Sequence, residues 1–514
     1  MTVSASESVI RFILDGAVVS VSHIDPSLTL LQYLRETLYR SGTKEGCAEG
    51  DCGACTVVLG ELVDGRVSLR SVNACIQFVA MLHGKVLFTV ESLKPKHDSE
   101  LHPVQQAMVD CHGSQCGFCT SGFVMSLFAL FKSSVNPDRS QINDALSGNL
   151  CRCTGYKPII DAAQEMFAIE TNQPRNWLTQ AALNEPQPID DFEKALIDQL
   201  EAIRPVKMLQ LEHSEKQYFA PLDLQSLTKL IRDKPDATLI AGNTDVGLWV
   251  NKQLRDLPEV ISLSLVEDLK KIDITDSDIT IGAAVSLSDA FAALVKYYPE
   301  LKELFRRFAS QPVRNAGTLV GNVANGSPIG DSMPILIALQ SELILRKADS
   351  QRIVALDQFY LGYQQKDCQP GEFIEAIRIP LNTKHYRLAS YKVSKRYDQD
   401  ISAVCAAFVI GLDEDGTIFH CRVAYGGMAA TPARARNTEK VLLGSKWNEK
   451  NLALAMATLA EDFSPLSDVR ASSDYRLKVA QNLLTRFYLE TQPGQSGAVS
   501  QVNRLNDLPG LRHE

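Results

Sequence analysis

Four cysteines near the start of the chain place the strongest constraint on how it folds. Cys47, Cys52 and Cys55 have C-x4-C-x2-C spacing in a glycine-rich loop, and Cys75 follows after a nineteen-residue gap. This is the ligand spacing of a [2Fe–2S] cluster, in which each tetrahedral iron takes two thiolates and shares two bridging sulfides. We therefore predict that these four residues are metal ligands and that the chain handles electrons one at a time.

Three glycines in and beside the loop fit the same role. Gly46, Gly50 and Gly53 are expected to take φ > 0, so that the backbone can wrap around a cluster. In that conformation, successive N–H groups can point at the cluster sulfurs.

The distribution of cysteines favours metal binding over disulfide bonds. Nine of the twelve cysteines lie before residue 154. The first ten residues are polar, without the apolar segment of an export signal, and no run of 18 apolar residues follows. We therefore predict a cytoplasmic protein, in which clustered cysteines are metal ligands. Cys368, Cys405 and Cys421 are isolated and predicted to be buried or inert thiols.

Length and charge limit the remaining possibilities. A chain of 514 residues predicts three or four domains, and 45% hydrophobic with 22% charged residues is an ordinary globular composition. The net charge is −9, the pI is about 5.6, and there is no basic tract. These values disfavour nucleic acids and anionic membranes as partners.

Residues 1–92 are predicted to form a compact α+β domain. Two β-prone runs, Val9–Leu14 and Ala17–Val21, flank an Asp15-Gly16 pair that is typical of a tight hairpin. Leucines at helical spacing between residues 30 and 38 predict an amphipathic helix with Ser27 near its N-cap. Further strands follow the cysteine loop. This order resembles the β-grasp fold of plant-type ferredoxins.

Residues 93–168 change to helical periodicity and are predicted to form a domain of four short helices. Two cysteine pairs, Cys116-x2-Cys119 and Cys151-x-Cys153, lie at predicted helix ends. Four thiolates also suit a structural zinc ion. Because a C-x-C pair is less usual for zinc and an iron–sulfur motif lies just upstream, we favour a second [2Fe–2S] cluster.

A linker over residues 169–215 precedes a predicted α/β domain over 216–384. Gly242–Asp245 forms a polar loop after a short strand, and small residues and amides recur over Asn315–Asn322 and Ser327–Asp331. Such loops can present N–H groups to a pyrophosphate, although most are only turns. No G-x-G-x-x-G motif follows a first strand, so a Rossmann fold is not supported. An α+β subdomain over 385–490 and a polar tail over 491–514 complete the chain.

Two long strings carry a family resemblance. GSQCGFCTSG at residues 113–122 and GNLCRCTGY at 148–156 resemble the second iron–sulfur domain of the molybdenum hydroxylases, which include xanthine dehydrogenase, aldehyde oxidase and carbon monoxide dehydrogenase. The resemblance runs through nearly all of the chain. It implies that Gln115 approaches a molybdopterin cofactor in a neighbouring domain. Ser121 departs from the proline that is frequent in the family.

The same family implies an FAD domain of the vanillyl-alcohol-oxidase type in an α+β multidomain protein. The FAD-contacting positions that this resemblance implies are Leu239, Ile240, Ala241, Gly242, Asn243, Thr244, Asp245, Val246, Phe308, Thr318, Gly321, Asn322, Asp331, Ile374 and Lys392. For Phe308 and Ile374, the alternative is simple core packing. Val320 replaces a common glycine, and the loop must shift if its side chain points at the phosphates. The charged loop Ser394–Asp400 resembles one near the flavin, or is a solvated turn.

The functional expectation from this resemblance is the small, iron–sulfur/FAD subunit of a bacterial-type xanthine dehydrogenase. No molybdopterin-binding domain is expected before the chain ends at Glu514. Electrons from a purine would then come from a molybdenum-cofactor subunit, with a dimer of heterodimers as the assembly. They would pass through the cluster of Cys116, Cys119, Cys151 and Cys153, then the Cys47–Cys75 cluster, to FAD and on to NAD⁺.

Several alternatives stay open. The acceptor could be O₂ instead of NAD⁺, and the partner could oxidise an aldehyde or another N-heterocycle. A stand-alone NADH-dependent flavin/iron–sulfur reductase and a zinc-bearing scaffold are further possibilities. In the electron-transfer interpretation, no side chain of this chain is expected to act as a general acid or base.

Overall fold

The computed structural model describes residues 6–93, 101–170, 189–381 and 386–492. They form two compact units. The first contains the described residues of Met1–Lys271 with Ala283–Ala290 and Ala309–Gly321, and the second contains Ile272–Gly282, Phe291–Phe308 and the described residues of Asn322–Glu514. Most of the predicted tail and residues 171–188 of the predicted linker lie outside the described residues. The predicted domain limits stay predictions.

A five-stranded mixed sheet forms the N-terminal part of the first unit. Its strands are β1 (Ile10–Leu14), β2 (Ala17–Val21), β3 (Thr56–Val63), β4 (Arg66–Asn73) and β5 (Val86–Phe88), in the order β2-β1-β5-β3-β4. Only β1 and β5 pair in parallel among these strands. Asp15 and Gly16 both have positive φ, 53° and 75°, between the paired residues Leu14 and Ala17. The predicted hairpin is therefore confirmed.

The first helix begins at the first residue of the leucine pattern, but its cap is not the predicted one. Helix α1 (Leu30–Gln32) is capped by Thr29, whose hydroxyl accepts a bond from the Gln32 N–H, and it continues as a π-helical turn over Tyr33–Thr37. The prediction of Ser27 near the cap is wrong. Both the backbone N–H and the hydroxyl of Ser27 are bonded to Asp25, which forms a separate turn before the helix.

Four helices follow, as predicted, and surround an apolar core. They are α2 (Pro103–Asp110), α3 (Thr120–Ser133), α4 (Arg139–Leu146) and α5 (Lys157–Glu165). Helix α3 is the central one, since Phe123, Met125 and Leu127 are fully buried on it. Pro158 lies in the first turn of α5, where the missing N–H has no helical partner to lose. The next helix is α6 (Asp191–Ala202).

The first unit ends with a smaller sheet and its helices. The strands are β6 (Leu209–His213), β7 (Lys216–Ala220), β8 (Thr238–Ile240) and β9 (Glu259–Ser262), in the order β6-β7-β9-β8. Strand β9 pairs in parallel with β7 and with β8, and β6 and β7 form a hairpin. The helices that follow these strands are α7 (Leu224–Asp233) and α8 (Val246–Asn251).

The described part of the second unit contains two larger antiparallel sheets and one two-stranded sheet. The first, in the order β10-β11-β16-β12-β13, has strands β10 (Ile272–Ile274), β11 (Asp278–Gly282), β12 (Glu342–Lys347), β13 (Ser350–Ala355) and β16 (Phe373–Pro380). Strands β14 (Tyr360–Gly362) and β15 (Gln365–Lys366) form the two-stranded sheet, a hairpin. The last sheet has β17 (Tyr386–Val393), β18 (Val404–Leu412), β19 (Ile418–Gly426) and β20 (Ala433–Arg434).

The remaining helices lie in the C-terminal half of the chain. They are α9 (Leu287–Val295), α10 (Lys302–Arg306), α11 (Gln311–Ala316), α12 (Leu319–Asn325), α13 (Ser332–Ala338), α14 (Leu356–Phe359), α15 (Arg436–Leu442), α16 (Glu449–Asp462) and α17 (Ser473–Glu490). In the second unit, Phe408 of β18 packs on Tyr425 of β19 and Phe487 of α17. The predicted α+β class is confirmed. Among the described residues, every helix is too short or too polar to cross a lipid bilayer.

A buried ion pair fixes helix α6 to the first sheet. The Arg66 guanidinium donates to both carboxylate oxygens of Glu193, at 2.8 and 2.6 Å, and the Val67 N–H adds a bond of 3.3 Å. Both side chains are almost fully buried. Loss of one partner would leave the other charge in a medium of low polarity.

We expect Glu193→Ala to lower the free energy of unfolding by about 3–5 kcal/mol, because it leaves the Arg66 charge buried and unpaired. Urea unfolding followed by circular dichroism measures the effect. Glu201→Ala, at an exposed position of the same helix, is the control and should change stability by less than about 0.5 kcal/mol. Equal unfolding midpoints for the two variants would contradict this role of the pair.

A buried histidine begins the helical domain. His102 Nδ1 accepts a bond from the Val104 N–H, and the ring packs edge-on against Phe128 and Phe131, with centroids 5.4 Å apart in each case. Burial, with a smaller effect of the Lys132 cation, lowers the pKa of His102 to about 3. The imidazole is therefore neutral in the folded protein.

This histidine predicts a loss of stability in mild acid. An unfolded histidine has a pKa of about 6.5, so below that pH the unfolded chain takes up a proton that the folded protein refuses. The contribution of the neutral His102 ring to the free energy of unfolding is complete above pH 6.5 and decreases as the pH falls toward the folded pKa. The decrease is about 2 kcal/mol between pH 7 and pH 5. His102→Asn keeps a capping oxygen and should lose this part of the pH dependence. His23→Asn, at an exposed position, should keep the wild-type slope.

Candidate functional site

The first group of thiols lies where a loop and a turn meet beside the N-terminal sheet. Cys47, Cys52 and Cys55 precede β3, and Cys75 is in the 3-10 turn that follows β4. Cys55 and Cys75 are buried, and the other two are half-buried. The Cys47 sulfur accepts N–H bonds from Glu49 and Cys52, at 3.4 and 3.3 Å. The structure thus brings all four predicted residues to one place.

Two glycines of this loop have the predicted positive φ, and the third does not. Gly50 and Gly53 have φ of 78° and 70°, and Ala48 takes the same region at 54°, which no sequence signal indicated. Gly46 does not have positive φ. It is required because a Cβ there would lie 2.7 Å from the Cys52 sulfur. The loop therefore keeps open the space around the thiols.

Hydrogen bonds among these thiols shift their pKa values in opposite directions. Hydrogen bonds from Cys52 and Cys75 lower the pKa of Cys47. The complementary bonds, from Cys47 and Cys55, raise the pKa of Cys75. In the described part of the chain, no group of three or more His, Cys, Asp or Glu side chains is placed to hold a metal ion. The donor set fits a dinuclear group, which takes two thiolates at each iron.

The second group of thiols lies at the ends of the four helices. Cys116 and Cys119 precede α3, and Cys151 and Cys153 lie between α4 and α5. The Cys153 sulfur is 3.7 Å from that of Cys116 and 3.8 Å from that of Cys151. Cys116 and Cys153 are exposed, Cys119 is half-buried and Cys151 is buried.

The two less exposed thiols of this group have pKa values shifted in opposite directions. Burial raises the pKa of Cys151, but bonds from the Thr154 hydroxyl and N–H outweigh it and lower the pKa to about 6. Burial and a bond with Cys151 raise the pKa of Cys119 to about 12. The Cys151 N–H is bonded to the Tyr156 hydroxyl at 2.9 Å. Four thiols with N–H and O–H donors around them fit a second [2Fe–2S] group.

Two residues of the motif strings are also located. Gln115 is exposed on the chain before Cys116, and its approach to a molybdopterin stays a prediction. The Ser121 hydroxyl, at the departure from the family proline, is buried without a hydrogen-bond partner among the described residues. Of the isolated cysteines, Cys405 and Cys421 are buried as predicted, but Cys368 is exposed.

Two segments of the predicted FAD site meet within the first unit. A Cβ on Gly242 would overlap the carbonyl oxygen of Ala316, so only glycine fits at this approach. Asn243 has φ of 61°, its amide nitrogen donates to the Ile76 carbonyl at 2.9 Å, and its buried Oδ1 has no partner among the described residues. The arrangement leaves a narrow loop of main chain with an unused polar atom, which fits an extended polar ligand.

This loop and helix α8 that follows it are bonded to the segments that carry the first group of thiols. The Asn251 amide donates to the carbonyl of Cys75 at 2.5 Å and to that of Ala48 at 3.3 Å. The Gln77 amide donates to the Gly242 carbonyl at 3.2 Å. Sequence reasoning missed Asn251 and Gln77, because nothing in their local sequence indicates a contact across the fold.

The second predicted loop has its own internal bond. The Gly321 N–H donates to the Thr318 hydroxyl at 3.0 Å, and a Cβ on Gly321 would lie 2.6 Å from that oxygen. Val320 is 2% exposed, so its side chain is part of the protein core. The expected shift of the loop to accommodate Val320 is therefore unnecessary.

In the second unit, a buried ion pair joins two of the predicted FAD residues. The Lys392 ammonium donates to Asp331 Oδ2 at 2.5 Å, and the Ser402 hydroxyl donates to Oδ1 at 2.6 Å. Both charged side chains are less than a tenth exposed. Asn322 Oδ1 accepts a bond from the Ser332 hydroxyl. Sequence reasoning missed Ser402, which completes the hydrogen bonding of the Asp331 carboxylate.

Phe308 and Ile374 are buried in the same unit, and Phe308 packs edge-on against Phe291 with centroids 5.3 Å apart. Their burial fits the core-packing alternative, and a role at the flavin stays a prediction for these two residues. A role at the flavin also stays a prediction for the remaining positions of the resemblance: Leu239, Ile240, Ala241, Thr244, Asp245 and Val246.

The charged loop Ser394–Asp400 is held by an arginine that the sequence did not indicate. The Arg307 guanidinium donates to the carbonyls of Lys392 and Tyr397, at 2.9 and 3.1 Å, and to the Ser394 hydroxyl at 3.2 Å. It also stacks over the Tyr397 ring at 4.7 Å. The loop is therefore an anchored segment next to Lys392 and more than a solvated turn.

Family comparisons assign four consecutive stretches of the chain. Residues 12–79 match the 2Fe-2S iron-sulfur cluster binding domain, and 89–164 match the [2Fe-2S] binding domain. Residues 212–382 match the FAD binding domain in molybdopterin dehydrogenase, and 389–491 match the CO dehydrogenase flavoprotein C-terminal domain. The two [2Fe–2S]-binding domains and the FAD-binding domain predicted from the sequence are thus confirmed.

Individual relatives agree with this assignment. The chain is 33% identical over 528 residues to a xanthine dehydrogenase of Emericella nidulans, and the match covers 94% of this chain and 38% of the relative. It is 30% identical over 545 residues to aldehyde oxidase 1 of Bos taurus, which covers 98% and 40%. Quinoline 2-oxidoreductase from Pseudomonas putida 86 has 25% identity and a TM-score of 0.50, over 55% of this chain and 99% of that chain.

The chain belongs to the molybdenum hydroxylase family. It spans about two-fifths of the length of the curated relatives that it matches, and the matched portion is the iron–sulfur and FAD-binding part.

We expect Lys392→Met to lower the free energy of unfolding by about 3–5 kcal/mol and to reduce the FAD content of the purified protein, because Asp331 loses its buried counter-ion. Urea unfolding and flavin absorbance measure the two effects. Lys395→Met, in the exposed part of the same segment, is the matched control and should leave both unchanged. If both variants kept their stability and flavin, the ion pair would have no such role.

Proposed function

We propose that this chain is the electron-transfer part of a xanthine dehydrogenase. It would accept electrons from a molybdenum-cofactor subunit that oxidises a purine, and pass them through two [2Fe–2S] clusters to FAD and on to NAD⁺. The observation that supports this most directly is the placement of two groups of four thiols in one compact unit. In addition, the Cys75 carbonyl of the first group is bonded to Asn251, in the part of the chain that matches the FAD-binding domain.

The proposed ligands are the eight cysteines in two sets. Cys47, Cys52, Cys55 and Cys75 would hold one cluster, and Cys116, Cys119, Cys151 and Cys153 the other. When bound, the clusters supply one-electron carriers and the flavin joins one-electron to two-electron chemistry. The chain itself would tune each carrier through burial and through N–H bonds to sulfur, such as those that Cys47 accepts from Glu49 and Cys52.

The proposed diphosphate contacts rest on the family resemblance. In the first unit, main-chain N–H groups of the Gly242–Asp245 loop would bind the diphosphate, next to the buried Asn243 Oδ1 that has no partner among the described residues. In the second unit, Asp331 and Lys392 form a buried pair of opposite charges that adds no net charge.

A different substrate of the partner is the main alternative. The similarity to aldehyde oxidase 1 of Bos taurus, at 30% identity, is close to that of the xanthine dehydrogenase of Emericella nidulans. An aldehyde or another N-heterocycle is therefore the second candidate for the partner's substrate. A stand-alone NADH-dependent reductase is less well supported, because a single cluster would suffice for it.

Metal and cofactor content test the proposal first. The purified chain should contain about four iron atoms, four acid-labile sulfides and one FAD. It should reduce dyes with NADH and should not oxidise xanthine alone. Zinc in place of iron would overturn the electron-transfer function, whereas turnover of xanthine by the isolated chain would overturn the proposed partner.

The cysteine assignment predicts a selective loss in the reduced protein. Cys47→Ser should remove one of two paramagnetic signals and leave the other, because the two groups of thiols bind separate clusters. Electron paramagnetic resonance with iron analysis measures this. Cys368→Ser, at an exposed thiol outside both groups, should keep both signals. Loss of both signals in Cys47→Ser would show that the clusters do not assemble independently.

A further inference from the structure

One side chain connects three segments that carry thiols of the two groups. The Asn149 amide nitrogen donates to the Gly53 carbonyl at 3.1 Å and to the Thr56 hydroxyl at 3.2 Å. Its Oδ1 accepts a bond from the Ser126 hydroxyl at 2.6 Å. Gly53 lies between Cys52 and Cys55, Ser126 is on the helix that starts directly after Cys119, and Asn149 precedes Cys151 by two residues. The amide is 3% exposed.

A backbone bond next to this amide connects the two groups of thiols. The Leu150 N–H donates to the Cys52 carbonyl at 3.0 Å. Leu150 is joined to Cys151 by a peptide bond. The route from the Cys52 sulfur to the Cys151 sulfur therefore consists of covalent bonds and this single hydrogen bond.

Close packing leaves this connection little freedom. A Cβ on Gly53 would overlap the Gly148 carbonyl, and a Cβ on Gly122 would overlap the Gly53 carbonyl. The three main-chain segments are therefore in direct contact. Asn149 supplies the directional bonds that fix their register.

We propose that Asn149 is a positioning residue that sets the electronic coupling between the two thiolate sites, with the Cys52–Leu150 hydrogen bond as the connecting route. This inference rests on the proposed function, in which both sites hold [2Fe–2S] clusters. The rate of electron transfer falls steeply as the distance between centres grows, and it falls when a gap through space replaces a bonded route. A residue that keeps the segments in register therefore controls the rate without being a ligand.

Asn149→Asp tests the proposal in the full chain. The substitution keeps size and the acceptor for Ser126, but places an oxygen in place of the donor that faces the Gly53 carbonyl. With both clusters reduced, we expect weaker spin–spin broadening in the paramagnetic spectrum and a several-fold slower inter-cluster electron transfer after flash reduction. Iron content should match the wild type, which a merely structural role does not predict. The two midpoint potentials are measured as well, because the new carboxylate is expected to shift them, and the transfer rates are compared after correction for driving force.

Two further variants complete the experiment. Ser126→Ala removes the bond that orients the amide and should give a smaller loss of coupling with both clusters intact. Ile142→Val, a buried substitution on α4 outside this network, should keep wild-type coupling.

Wild-type coupling in Asn149→Asp with both clusters present overturns the inference. If that variant fails to assemble both clusters, Ser126→Ala decides, and unchanged coupling there overturns the inference equally. Absence of iron from the wild-type protein overturns the proposed function itself, so the two failures are distinguishable.

Discussion

Direct contact between main-chain segments at Gly53, Gly122 and Gly148 is the constraint on which the thiol sites of the first unit depend. Where no side chain separates two backbones, their carbonyl and N–H groups must be satisfied by one another or by a nearby polar side chain. The Cys52 carbonyl is satisfied by Leu150, and the Gly53 carbonyl by Thr56 and Asn149. The positions of the thiols thus follow from the packing of the protein, which is how a rigid metal site is prepared.

The two units satisfy buried polar groups in different ways. Around the thiols of the first unit, the connecting side chains are neutral amides: Gln77, Asn149, Asn243 and Asn251. In the second unit, the buried site around Asp331 and Lys392 uses opposite charges. Neutral donors add no net charge near sites where thiolates collect, whereas an ion pair gives a fixed field in a region of low polarity.

Sequence alone predicted the parts of the fold and site that depend on local spacing. The cysteine spacings, the Asp15-Gly16 turn and the four short helices are all determined within a few residues, and all are present in the structure. The helix cap was misplaced because Ser27 and Thr29 are equally good caps by type, and the choice depends on the bonds of Ser27 to Asp25. Gly46 was assigned to the right loop for the wrong physical reason.

Contacts between distant parts of the sequence could not be predicted. Asn251 bonds to Cys75 across 176 residues, and Arg307 holds the loop that contains Tyr397 across 90 residues. Neither residue belongs to a local pattern, and each would be an ordinary polar side chain by sequence. The assignment of individual flavin contacts rests on resemblance for the same reason, since loops that bind diphosphates and loops that merely turn have similar compositions.

The glycine contacts have a consequence for how such proteins can change over time. Gly53 belongs to the ferredoxin-like part, whereas Gly122 and Gly148 belong to the helical part, and their surfaces fit only as a matched set. A gene fusion that replaced one part with a distant homologue would have to bring the glycines and Asn149 with it. The two parts are separate domains by fold, but they can be exchanged only as a single module.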